Sequence, residues 1–301
     1  YSDFELPGTL RSDDIRAGRV DFYDTYDPTS QGRSARALIA LHYQLRRDHH
    51  RASLTAYGSF RRLDLRENFT GFLQDRVNGD RRAQEQTSWV AGLRAHHELR
   101  LGELLALVSS LGVRAEHVNQ REQRIGRELE VVDTRRDVRL MQVLTSASLG
   151  LRVDPFDELR IDVGARVDVV HVAPTDLLDA ANDRTGALAA VSPRMTLRYQ
   201  PIPTVGLFAA YGRGLRPPEG RAFTSFEPGR EGLSDELVDA QPRITTSDAG
   251  ELGIRVAPRD RVDITLAGFA TSIARESIYD HVYGINLELN GTRRVGAELV
   301  L

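Results

Sequence analysis

The sequence predicts an all-β fold: an antiparallel transmembrane β-barrel, with about eleven strands. Three observations carry this. First, apolar and polar residues alternate with period two over segments that often run to 9–14 residues. That is longer than the ~5–6 of a common soluble strand and close to the ~9–11 that a tilted membrane-crossing strand needs. Second, the connections are short and long in turn, as in outer-membrane barrels with tight periplasmic turns and long outer loops. Third, charged residues make up 28% of the chain, more than suits a dry sandwich core but natural for a water-filled lumen.

The segments follow in order. Residues 37–45 alternate Ile39, Leu41, Tyr43 and Leu45 with Ala40, His42 and Gln44. Residues 52–63 follow, then 87–99, where Trp89, Ala91, Leu93 and Ala95 share a face, and then 104–117. In 137–153 the shared face holds Met141, Val143, Ala147, Leu149, Leu151 and Val153. Residues 158–171 are the clearest: Leu159, Ile161, Val163, Ala165, Val167 and Val169 alternate with Arg160, Asp162, Gly164, Arg166 and Asp168. A helix would scatter those charges around its circumference. Residues 189–200, 204–214, 249–257, 261–273 and 292–301 complete the series. Short connections fall at 46–51, 100–103, 154–157, 201–203 and 258–260, and long polar ones at 64–86, 118–136, 172–188, 215–248 and 274–291. The first 34 residues, rich in Asp, Arg, Gly and Ser, read as a further outer loop.

The faces can be assigned by energy. Arg160 or Arg166 turned toward lipid would each cost roughly 2–4 kcal/mol near the bilayer midplane, so the aliphatic face meets lipid and the charged face the lumen. Tyr43 and Tyr199 beside short turns, and Phe60, Trp89 and Tyr211 near long-loop ends, stand at interfacial girdle positions. In the lumen, Arg160, Asp162, Arg166 and Asp168 are expected to form a cross-strand charge network.

Composition excludes several other classes. There is no cysteine, which removes disulfide scaffolds, thiolate metal sites and cysteine nucleophiles. No apolar run approaches the ~20 residues of a helical span. All 40 basic residues are arginine and the net charge is −3, so no global positive field recruits nucleic acid. His49-His50 and His96-His97 are adjacent pairs, whose side chains point to opposite faces of a strand and cannot chelate one metal. Gly32-Arg33-Ser34 lacks the second glycine of a nucleophile elbow, and nothing pairs His42 or His171 with a serine. Gly212-Arg213-Gly214 runs into Pro217-Pro218, which cannot begin a phosphate-capping helix. No catalytic residue, cofactor or metal ligand set is read, and the expected protein is not an enzyme.

Four patches carry a family resemblance. Asn68-Phe69-Thr70-Gly71-Phe72-Leu73, with Asp75, Gly79-Asp80, Gln84 and Gln86, resembles an outer loop and the following strand start in TonB-dependent outer-membrane receptors. Ala210-Tyr211-Gly212-Arg213-Gly214-Leu215-Arg216-Pro217-Pro218-Glu219 is similar to a strand-to-loop motif of that family. Glu251-Leu252-Gly253-Ile254-Arg255 and Asn290-Gly291-Thr292-Arg293-Arg294-Val295-Gly296-Ala297-Glu298-Leu299 resemble later inbound strands, and the order of the patches matches the middle and later part of the barrel. The resemblance implies a Gram-negative outer-membrane receptor that imports a scarce nutrient such as a ferric siderophore, energised by a TonB complex. It implies a barrel of 22 strands closed by an N-terminal plug. On that reading the chain is a single partial barrel domain without its plug or TonB-contacting segment, and alone it should aggregate through its open edges. A passive porin-like or structural barrel is the alternative reading.

Residues 213–231 hold Arg213, Arg216, Arg221 and Arg230 against Glu219, Glu227 and Glu231. Arginine forks bind carboxylate, catecholate or phosphate oxygens at two points. Arg213, Arg216, Glu219 and Arg221 are therefore the candidate ligand-binding residues, with an anionic small ligand as partner and Arg213 and Arg216 both expected on the ligand side. Lipopolysaccharide phosphate suits outer-loop arginines equally, and a solvated loop is the plain alternative. The remaining expected partners are the lipid bilayer, the receptor's own plug and the TonB complex.

Overall fold

The computed structural model describes residues 1–301 except 69, 70, 73, 74, 78, 184, 219–242, 260, 261 and 281–284. Twelve strands form one sheet, each antiparallel to its neighbour in sequence. They are β1 (Ser2–Glu5), β2 (Gln31–Arg47), β3 (His50–Asn68), β4 (Arg81–Arg100), β5 (Leu105–Ile125), β6 (Val131–Phe156), β7 (Leu159–Asp176), β8 (Gly186–Ile202), β9 (Val205–Arg216), β10 (Thr245–Arg259), β11 (Val262–Asp280) and β12 (Ile285–Val300). Among the described residues, no pairing joins β12 to β1.

The eleven segments read from the sequence correspond to β2–β12. The twelfth strand corrects the reading of residues 1–34 as loop. β1 pairs with the start of β2, Ser2 opposite Ser34 and Glu5 opposite Gln31, and a short helix α1 (Ser12–Arg16) follows it. The strands also run further than the hydropathy pattern. The supposed loop 118–136 is mostly ladder: Asn119 faces Arg139 and Arg121 faces Asp137, and only the turn 126–130 remains. The stretch 274–291 is likewise mostly β11 and β12. In these extensions both faces of the strand carry polar residues, as at Asn119, Arg121, Glu122 and Arg124 of β5. The apolar–polar alternation then disappears while the hydrogen-bond ladder continues.

Register places the aliphatic residues in one continuous outward band. Leu41 pairs with Ala56, Ala56 with Leu93, and Leu93 with Val113. Further along, Leu149 pairs with Ala165, and Val167 with Val191. These side chains are open, with Leu41 70% and Leu111 65% exposed, whereas Asp168 and Glu122 on the other face are 0% and 2% exposed. A sheet one residue thick can bury one of its faces only by curling toward it, so the polar face is concave. Tyr43, Phe60, Trp89, Tyr199 and Tyr211 all fall on the outward face by this register, and Phe60 and Trp89 pack at 4.5 Å between ring centroids.

On the concave face, aromatic rings cover the glycines opposite them: Tyr57 over Gly92, Phe208 over Gly253 and Phe269 over Gly296. A Cβ at any of these glycines would collide with the ring. The missing side chain is what lets the ring lie flat on the neighbouring strand.

The expected charge network is present and differently wired. Asp162 pairs across strands with Arg152 at 2.9 Å, and Arg152 reaches Glu98 at 3.2 Å. Arg160 takes Asp154 across the short turn at 2.8 Å. Arg166 and Asp168 satisfy each other along one strand, at 2.6 Å.

Val167→Arg, in the outward band, should destabilise the membrane-inserted barrel by roughly 2–4 kcal/mol. Gln142→Arg, on the concave face opposite Glu116, should cost little. Denaturant titration of the protein refolded in lipid vesicles measures both.

Candidate functional site

The outer end of the concave face is built around Asn68, the last residue of β3 and 3% exposed. Its backbone N–H donates to Ser30 Oγ at 3.3 Å, and its side-chain Oδ1 accepts from the Asp80 N–H at 3.0 Å. The described part of the loop then closes on itself. Asp80 N–H also donates to the Gly71 carbonyl at 2.8 Å, and Gly79 N–H to the Asp75 carbonyl at 2.9 Å. Asp75 N–H donates to Asp80 Oδ1 at 2.9 Å. Gly71 and Gly79 hold φ of 72° and 76°, a left-handed conformation that glycine adopts without strain. Asn68, Gly71, Asp75, Gly79 and Asp80, all among the residues that carried the resemblance, are thus the internal fastenings of the described part of this loop.

Residues 6–30 pack against this loop. The Tyr26 ring meets Phe72 edge-on at 6.4 Å. The Tyr26 hydroxyl donates to Asp14, which also accepts from Arg19 at 2.7 Å. Burial and the bond to Asp14 push the Tyr26 phenol up, while hydrogen bonds from Tyr26 and Arg19 hold the Asp14 carboxyl down. The strongest tie is buried: the Arg81 guanidinium donates to Asp27, with the two side chains 9% and 3% exposed. Thr29 adds bonds to Asp27 from its N–H at 3.0 Å and its hydroxyl at 2.6 Å. Burial alone would raise the Asp27 carboxyl, but the donors from Arg81 and Thr29 outweigh it and the group lies below the ordinary range.

Beneath the loop, the ends of β4, β5 and β6 concentrate arginine. Arg82 and Glu122 form a buried pair at 2.7 Å, and Arg124 approaches Asp75 at 3.4 Å. A register shift between β5 and β6 sets Glu122 opposite Arg136 and Gln123 opposite Thr134, so Arg135 is the inserted residue of a bulge. Arg76, Arg82, Arg124 and Arg135 line a recess of about 390 Å³ with Asp75, Gly79 and Asp80. Reading the sequence alone missed these arginines. The doublets Arg81-Arg82 and Arg135-Arg136 stand in the sequence, but within stretches whose polar composition reads as long connections.

The sequence candidates are placed differently. Arg213 and Arg216 are three positions apart in one unbroken strand, so they lie on opposite faces. This corrects the expectation that both face a ligand. Arg213 shares the outward face with Tyr211 and donates to the cross-strand Asp248 at 2.9 and 3.1 Å, and the Tyr211 hydroxyl donates to the same carboxylate at 2.6 Å. Arg216 ends β9 on the concave side, opposite Thr245. Glu219 and Arg221 lie outside the described residues. His96 and His97 split between the faces of β4 as expected, whereas His49 lies in the turn before β3. Across the strands, however, His50 Nδ1 and His97 Nε2 come within 3.1 Å, with the rings stacked at 5.4 Å. Among the described residues no three metal-ligating groups gather.

A curled antiparallel sheet with an outward apolar band, a charged concave face and a fastened loop at one end has the build of an outer-membrane-type barrel wall. The family model "TonB dependent receptor-like, beta-barrel" matches residues 2–299, and the chain belongs to that family. Among solved structures, the unliganded ferric citrate transporter FecA superposes with TM-score 0.72 at 15% identity, covering 99% of this chain and 43% of that one. The copper transporter OprC gives 0.67 at 14% identity, covering 90% and 44%. BauA, the ferric preacinetobactin receptor from Acinetobacter baumannii, gives 0.63 at 13% identity, covering 90% and 42%. The chain spans less than half the length of these structures. No curated protein gives a significant match.

Asp27→Asn should loosen residues 6–30 by about 3 kcal/mol, because it removes the carboxylate that compensates a buried guanidinium. The lowered Asp27 pKa places its stabilisation at neutral pH and down to about pH 4, with loss as pH falls further and the carboxylate protonates. Hydrogen exchange of residues 11–30 against pH checks both.

Proposed function

We propose that the chain is barrel wall of a Gram-negative outer-membrane receptor that imports a scarce nutrient, with a ferric siderophore as the leading cargo. The observation that carries this is the arginine-lined recess at the outer end of a charged concave face. A passive conduit has no need of a folded loop fastened over such a recess. The transporters and receptor among the structural neighbours, for ferric citrate, copper and ferric preacinetobactin, support metal or metal-chelate cargo. TonB energisation rests on family membership.

The rest of the receptor completes the barrel on this reading. The outer edge of β12 and that of β2 beyond Ser34 have no partner strand among the described residues. Unpaired N–H and C=O groups are untenable in hydrocarbon, so further strands of the same barrel pair there. A plug domain packs against the concave face near the short turns. Arg160, Arg198, Glu251 and Arg255 there line a second recess, of about 860 Å³. Arg216, on the concave side, is the sequence candidate retained for ligand contact.

Uptake of a panel of radio-iron chelates by cells with and without this receptor tests the proposal. One chelate should require the receptor, and loss of TonB should abolish its uptake equally. Uptake that persists without TonB would identify a passive barrel. Arg216→Ala should reduce uptake roughly tenfold, while Arg213→Ala leaves it unchanged.

A further inference from the structure

We infer that the recess beneath loop 68–80 is an anion subsite that takes a carboxylate- or phosphate-bearing solute. This deepens the import reading and rests on it only for the recess being open to the outer medium. Four arginines and two aspartates line the recess, so its walls are net positive. The Arg82 charge is matched by Glu122 at 2.7 Å, which fixes that side chain as wall. Arg124 is held loosely, at 3.4 Å from Asp75, and Arg76 stands exposed on the loop.

The backbone is shaped for the same end. Arg135 is the inserted residue of the bulge between β5 and β6, and bulges re-aim a side chain that regular pairing would direct elsewhere. Here the re-aimed guanidinium joins Arg82 and Arg124 in one recess. Guanidinium forks arriving from β5, from the bulge in β6 and from the loop suit an anion with several oxygens, each held at two points. The volume of about 390 Å³ admits a small polyanion or the anionic part of a larger chelate. Arg82 and Arg124 are a directly opposed pair on the concave face. The recess therefore lies on the face turned away from the outward apolar band, which favours a solute over a lipid headgroup.

The test is calorimetric titration of the full-length protein, purified in detergent free of lipopolysaccharide, with citrate and with inorganic phosphate as probes. At least one should bind, and binding should weaken as salt is raised. The double variant Arg124→Gln with Arg135→Gln should weaken binding at least tenfold. Arg76→Gln sits on the exposed loop and leaves the ladder intact, so its several-fold loss reads the site even if the double variant fails to fold. Heat-modifiable gel mobility checks folding in each case. Absence of binding by the unaltered protein, equal binding by the variants, or binding of lipopolysaccharide alone in a parallel arm would overturn the proposal. The titration needs no TonB. A protein that binds citrate here while its uptake is TonB-independent would remove the import reading and leave the subsite standing.

Discussion

Every backbone N–H and C=O that enters hydrocarbon must find a partner within the protein, since lipid offers none. The rest of the structure depends on that constraint. It makes the inner strands β3–β11 pair in antiparallel register with both neighbours, as from Arg47 opposite His50 at one turn to Asn68 opposite Arg81 at the other end. A ladder of that kind sends alternate side chains to opposite faces wherever its register is unbroken. One face must then be hydrocarbon-compatible along its whole membrane-crossing length, and the other is free to carry charge.

The concave face uses that freedom in two ways. Over much of its area it neutralises itself locally: Arg152 bridges Glu98 and Asp162, and Arg166 closes on Asp168 in its own strand. Such pairs let a dense set of charges line a narrow space without mutual repulsion. The aromatic rings laid over Gly92, Gly253 and Gly296 act in the same wall, tying neighbouring strands through contact. At the outer end the balance shifts toward arginine, and the bulge at Arg135 departs from the regular ladder there. That departure lies above the apolar band, where water can satisfy a disturbed backbone.

The outer end is also where the chain stops being a simple sheet. Residues 6–30 and loop 68–80 form one assembly through Asn68, Ser30 and the buried Asp27–Arg81 pair. A loop held by its own hydrogen bonds and by a second segment is preorganised. Its one arginine, Arg76, is therefore presented to the recess without the entropy cost of ordering the loop backbone on binding. Binding surfaces placed on loops over a rigid sheet scaffold are a general solution, and here the scaffold supplies part of the surface itself.

The period-two pattern determined most of the fold. In residues 158–171 the alternation of valine with Arg160, Asp162, Arg166 and Asp168 allowed only a strand, and bilayer energetics then assigned its faces. The same logic failed where strands leave the membrane. In 118–136 both faces carry polar residues, so hydropathy shows no period although Asn119 and Arg121 are in register with Arg139 and Asp137. Strand parity also separated Arg213 from Arg216, a fact present in the numbering that charge counting overlooked. What only the tertiary structure decided is which distant residues share a site. Arg82, Arg124 and Arg135 come from three strands, and Arg135 joins them through a bulge that no local pattern announces. His50 and His97 meet only because two hairpins place them side by side. Alternation is written residue by residue because each side chain answers to its own solvent. Convergence depends on register, curl and inserted residues, which are properties of the assembled sheet.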